Sequence, residues 1–133
     1  MLSKLKTELY ETIKQLGYNI TDNATYVENF PWLMLRTNGY QILDSFNMKI
    51  GKATLVLDIF SQYNGEKEII EIADDIQRNL ATLIDNNSDV LYGYQKDLKI
   101  LDDKKTGPVR KHGVVIYEFL LGYGIEQEEL NDN

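Results

Sequence analysis

The stretch Ala53-Thr54-Leu55-Val56-Leu57-Asp58-Ile59-Phe60 sets the architecture, because only Thr54 and Asp58 interrupt an otherwise apolar run. Aliphatic and β-branched side chains at this density suit a strand buried in the middle of a sheet. Asn64-Gly65 comes next and offers a helix cap, and Glu66 and Glu68 fall in a first turn where the helix dipole favours negative charge. Ile69, Ile72, Ala73, Ile76, Leu80 and Leu83 then recur on one stripe, which predicts a second helix ending near Asp85. A buried strand feeding an amphipathic helix calls for a layer of helix on sheet.

Toward the N-terminus, Leu2, Leu5, Leu9, Ile13 and Leu16 repeat at helical spacing, with Gly17 placed as a C-terminal stop. After the Asn- and Thr-rich residues 18–30, Trp32 to Leu35 reads as a strand, Asn38-Gly39 as a tight hairpin turn, and Tyr40 to Phe46 as the return strand. Downstream, residues 90–94 and 98–101 are short strand material, and 102–113 is a polar connection. In the final strand, 114–121, Val115, Tyr117, Phe119 and Leu121 share one face, while Glu118 interrupts Val114, Ile116 and Leu120 on the other.

This order predicts an α+β fold: two helices packed on one face of a mainly antiparallel sheet of four to five strands. It is expected as a single domain over residues 1–125, followed by an acidic tail at 126–133 that frays. Nine tyrosines and four phenylalanines are then either ordinary core or part of a second face or edge that meets another subunit.

Composition narrows the chemistry. The 133 residues carry 14 Lys+Arg against 21 Asp+Glu, a net charge of -7, and contain no cysteine. Disulfides, thiolate metal sites and thiol nucleophiles are excluded. An average field of this sign repels phosphate, so no sequence-specific nucleic-acid binding is expected. No apolar run approaches the roughly 20 residues of a spanning helix, and the start of the chain lacks a secretory h-region, so the expectation is a cytoplasmic chain with no membrane partner.

Candidate catalytic groups read as ordinary residues. His112 is expected in a solvated loop, without the orienting carboxylate that a general base requires. Gly122-Tyr123-Gly124 lies after a strand and opens no helix, so it is no phosphate loop. Glu71, Asp74 and Asp75 extend the exposed face of the second helix and do not fit a cation-binding loop pattern. Asp58 with Asp97-Leu98-Lys99 has a nuclease-like carboxylate-and-lysine look, but an intervening helix and the missing basic groove argue against it. No catalysis, metal or cofactor is expected. The contact candidates are electrostatic: Lys104, Lys105, Arg110 and Lys111 in the loop 104–111, and Glu71 and Asp75 on the second helix. That loop either suits an acidic partner surface or is simply kept soluble by its charge.

The run Leu55-Val56-Leu57-Asp58-Ile59-Phe60-Ser61-Gln62-Tyr63-Asn64-Gly65-Glu66-Lys67-Glu68, passing into the periodic helix 69–83, resembles the tail terminator (tail completion, head-tail joining) proteins of long-tailed bacteriophages. The resemblance extends to the leading helix and to the closing strand at 114–119. It implies a virion structural protein, made in the bacterial host cytoplasm and located at the head-tail junction. Such a protein caps the tail tube as a ring, commonly of six subunits, and has the tube protein and the head connector as partners. A ring needs two different patches that fit each other, which acidic and basic regions on one chain supply. The rival from another class is an acidic cytoplasmic secretion chaperone that binds an unfolded client as a dimer.

Overall fold

The computed structural model describes residues 2–21, 29–43, 49–87, 89–103 and 107–123. Along the chain it has α1 (Leu2–Gln15), β1 (Asn19–Thr21), β2 (Trp32–Ile42), β3 (Lys49–Ser61), α2 (Lys67–Asn86), β4 (Val90–Asp102) and β5 (Lys111–Tyr123). The five strands form one sheet in the order β1-β2-β3-β5-β4. β1 lies parallel to β2, and every other neighbouring pair is antiparallel. The expected α+β architecture, with two helices over a mainly antiparallel sheet, is what the chain adopts.

β3 is the axis of the molecule. Its odd-numbered residues Ala53, Leu55, Leu57 and Ile59 are fully buried, and period-two alternation sends them all to the helix-bearing face. The register extends this layer sideways, with Leu57 between Leu35 and Val115, Ile59 beside Leu33, and Leu55 beside Tyr117. Onto it α1 lays Leu5, Leu9 and Ile13, and α2 lays Ile69, Ile72, Ile76, Leu80 and Leu83. Burying each such side chain contributes about 1.5–3 kcal/mol, which is what anchors helices whose surfaces are otherwise charged. Two glycines serve this packing. Gly17 ends α1 at a φ of 97°, its N–H donating to the Lys14 carbonyl. Gly113 lets Ile69 sit directly on β5, where a Cβ would come within 2.5 Å of the isoleucine methyl.

Several local expectations are corrected. Asn38-Gly39 is not a hairpin turn: β2 runs straight through it, and the register against β3 slips between Thr37 and Gly39 as a β-bulge. The hairpin lies further on, and residues 44–46 of the expected return strand fall outside the described residues. Asn64 does not cap α2: the cap position is Glu66, without a side-chain hydrogen bond, while Ser61 donates to Glu68 at 2.6 Å. The polar connection is shorter than expected, because β4 continues unbroken from Val90 to Asp102 and β5 begins at Lys111. Within the Asn- and Thr-rich residues 18–30, Asn19–Thr21 forms β1. The tail 126–133 also falls outside the described residues, and no described helix is long and apolar enough to cross a membrane.

One polar atom is stranded in this core. Tyr117 is fully buried, its hydroxyl has no hydrogen-bond partner among the described residues, and burial pushes its pKa up. A stranded hydroxyl of this kind costs about 1–3 kcal/mol.

In thermal or urea unfolding, Leu9→Ala and Ile76→Ala should each lose about 2–5 kcal/mol. The exposed Glu71→Ala should stay within about 0.5 kcal/mol of wild type. A harmless Ile76→Ala would contradict the packing of α2 on the sheet. Tyr117→Phe should gain about 1 kcal/mol by removing the stranded hydroxyl, and a loss of that size would show that the hydroxyl has a partner in solution.

Candidate functional site

The helices use one face of the sheet, and the even-numbered residues of β3 and β5 point to the other. Among the described residues no helix or strand lies on this second face. Its composition is unusual for an open face, because two carboxylates lie buried in it: Asp58 at 2% exposure and Glu118 at 6%.

Asp58 sits on β3 between Arg36 and His112 from the flanking strands. The Arg36 Nε–H donates to Oδ2 at 2.8 Å from β2, and His112 Nε2 lies 2.9 Å from Oδ1 on β5. An ionised carboxylate only accepts, so Nε2 carries the imidazole proton. Burial by itself raises the Asp58 pKa, but the hydrogen bonds from His112 and Arg36 outweigh it and hold the group below the usual carboxylate range. Beside this triad an aromatic ladder crosses three strands. Trp32 stacks on Phe60 at 4.7 Å between ring centroids, and Phe60 stacks on His112 at 4.6 Å.

Glu118 on β5 forms the second cluster. It accepts from Tyr94 and, at 2.9 Å, from Lys96, both on β4, and it pairs with Lys52 of β3 at 3.4 Å. The hydrogen bonds from Tyr94 and Lys96 pull its pKa down to about 2. The same contacts raise the pKa of Tyr94 and of Lys96. An open cavity of about 380 Å³ lies over this cluster, bordered by Gln41, Lys52, Thr54, Lys96, Asp97 and Glu118. Each buried charge is thus matched across strands, and the long side chains that pair with it also shield the sheet from water.

The residues singled out from the sequence lie elsewhere. Lys104 and Lys105 are outside the described residues. Arg110 is exposed, and its backbone N–H donates to the Ser61 carbonyl. Lys111 belongs to β5 and pairs with Asp102 across the hairpin. On α2, exposed Glu71 pairs with Lys67 at 3.8 Å, while Asp75 accepts from the Tyr18 hydroxyl at 2.6 Å and lies 3.5 Å from Arg78. Burial, reinforced by Asp75, pushes the Tyr18 pKa up to about 12. Asp75 therefore ties α2 to the segment leading into β1.

His112 requires a correction. It is a strand residue with an orienting carboxylate, not a solvated loop histidine. The signal was present in the alternation itself, since 112, 114, 116 and 118 share a parity that places His112 on the face of Glu118. The Asp58–His112 pair is half of a general-base arrangement, yet neither residue borders the cavity over Glu118. Among the described residues no group of three or more His, Asp or Glu could hold a metal ion.

Depressed carboxylate pKa values make a signed statement about stability. Glu118 titrates at 4.5 when unperturbed and at about 2 in the folded protein, so its contribution is present above pH 4.5 and is lost as pH falls toward 2. Glu118→Gln should therefore unfold with a shallower dependence of stability on pH across that window, measured by denaturant titration at successive pH values. An unchanged acid limb would contradict the pairing with Lys96 and Tyr94.

No family model matches the chain, and no curated protein matches it in sequence. Its fold is similar to that of a solved chain from the "Virion of native gene transfer agent (GTA) particle", with a TM-score of 0.62. The match covers 89% of this chain and 94% of that one at 8% identity, so it concerns the fold.

Proposed function

We propose that the chain is a structural protein of a phage-like virion, acting as a ring that caps the tail tube and joins it to the head connector. The observation that carries this function is the fold shared over nearly the full length of both chains with a component of the gene transfer agent virion. The open face adds support, because its side chains are locked in cross-strand pairs, which suits a rigid building block. The role proposed is mechanical, with no catalysis and no cofactor.

In this function the loop 104–111, with Lys104, Lys105, Arg110 and Lys111, meets either the neighbouring subunit or the tube below, and Glu71 and Asp75 of α2 offer the acidic counterpart. Arg110 and Glu71 are exposed, and charge complementarity at such positions directs association more than it stabilises the fold. Assembly takes place in the bacterial host cytoplasm, and the finished ring resides at the head-tail junction.

The test is charge reversal at Lys104, Lys105 and Arg110, leaving Lys111 on its Asp102 partner, with expression in place of the wild-type protein in the phage or prophage that encodes it. The variant should fold with near-normal stability and yield tails of irregular length or tails without heads, seen by electron microscopy. Normal particles would overturn the loop's role. A fixed dimer that protects an unfolded client and ignores tail tubes would point to the chaperone function instead.

A further inference from the structure

We infer that copies of this chain join edge to edge, the outer edge of β4 in one copy pairing antiparallel with the outer edge of β2 in the next. The sheet then runs on from subunit to subunit. Such pairing deepens the proposed ring and rests on that proposal only for closure.

Among the described residues, two strand edges of the sheet have no neighbouring strand. β4 ends the strand order, spans 13 residues without a proline, and exposes Leu91, Tyr92 and Leu101 at 51%, 56% and 50%. At the other side β1 pairs only with Trp32, Leu33 and Met34, so from Leu35 to Ile42 no described strand lies beside β2. Ile42 on that stretch is 59% exposed. Long unpaired edges are templates for another chain, and natural sheets usually guard them with charge, proline or extra cover. Lysine is the common guard; on β4, Lys96 is drawn back onto Glu118 of its own subunit, and exposed Lys99 lies 4.0 Å from Asp97. From Asp97 to Asp102 β4 holds a regular register against β5, the geometry an incoming strand requires.

Direction and level both fit. The pairs β2–β3, β3–β5 and β5–β4 are antiparallel, so β2 and β4 run in opposite directions within one subunit. A rotation about an axis parallel to the strands brings β4 of one copy beside β2 of the next as an antiparallel pair. Across the sheet, Arg36 lies in one row with Val56, Ile116 and Asp97, and Gln41 lies in one row with Lys52, Leu120 and Tyr92. Continuing the sheet on the level sets the Asp97 carboxylate of one copy beside the Arg36 guanidinium of the next, and Tyr92 beside Gln41. Both charged side chains are about half exposed, and a guanidinium that gives Nε–H to Asp58 has further N–H donors in its fork.

The occupant of each edge is therefore a second copy of this chain. Because the two edges differ, the contact is heterologous and propagates until it closes. A two-fold β4–β4 pairing would leave the β2 edge open in both copies and would bring no carboxylate to Arg36.

A chain without cysteine makes the test direct, since any disulfide reports only introduced residues. Gln41→Cys is combined in turn with Tyr92→Cys, Lys96→Cys or Lys99→Cys, which covers a stagger of several residues along the edge. Each single variant and a helix pair, Glu11→Cys with Glu71→Cys, serve as controls, and unfolding curves confirm that every variant folds. After mild oxidation, alone and with tail tubes, at least one edge pair should give a ladder of covalent oligomers that reductant collapses. The single variants should stop at dimer or below. Rings of wild-type size by light scattering, with no ladder from any edge pair, would overturn the edge pairing while leaving the ring intact. A monomer under all conditions, with no ladder, would overturn both. Covalent dimers from a single β4 cysteine that never extend further would favour the two-fold alternative, and an equal ladder from the helix pair would overturn the edge assignment by marking the crosslinking as indiscriminate.

Discussion

Everything in this protein is registered on one strand. β3 is paired along nearly its full length on both edges, and its odd-numbered residues carry the contact between sheet and helices. A slip of one residue would turn Leu55, Leu57 and Ile59 away from the helices and Val56 and Asp58 toward them, placing a carboxylate in the hydrocarbon layer. That cost fixes the register, and the register in turn decides which side chains meet on the opposite face.

On that opposite face, Asp58 and Glu118 have the burial of core residues without a helix above them, and each is satisfied by partners from neighbouring strands. Buried ion pairs seldom add much net stability, because desolvation offsets most of their attraction. Their consequence here is directional, since Arg36, Lys52, Lys96 and His112 are each drawn to a defined carboxylate oxygen. Together with the Trp32–Phe60–His112 ladder, they brace β2, β3, β4 and β5 against sliding past one another.

The strand edges complete this picture. The faces of the sheet carry helices on one side and cross-strand ion pairs on the other, and among the described residues the outer edges of β4 and of the second half of β2 have no neighbouring strand. Strand addition depends on backbone hydrogen bonds, with side chains setting only partner and level.

Short-range periodicity carried what was legible in the chain alone. The helical spacing of Leu5, Leu9 and Ile13, the stripe from Ile69 to Leu83, and the alternation of Val115, Tyr117 and Phe119 each named an element and the face it buries. These features could be read because a helix or strand imposes its repeat on its own neighbours in sequence. The remainder came from tertiary structure. Asn38-Gly39 has the local preference of a turn, but β3 offers partners to both halves of β2, and pairing through a bulge outweighs turning. His112 stood alone in a charged segment until the sheet brought it to Asp58, 54 residues away, while Arg36 arrived from the other flank. The contact candidates in the charged loop were drawn from composition, whereas the open edges exist only once the strand order is known. Pairing between distant strands leaves no periodic trace in either one, so the helix-bearing face could be read from the chain and the opposite face and its edges could not.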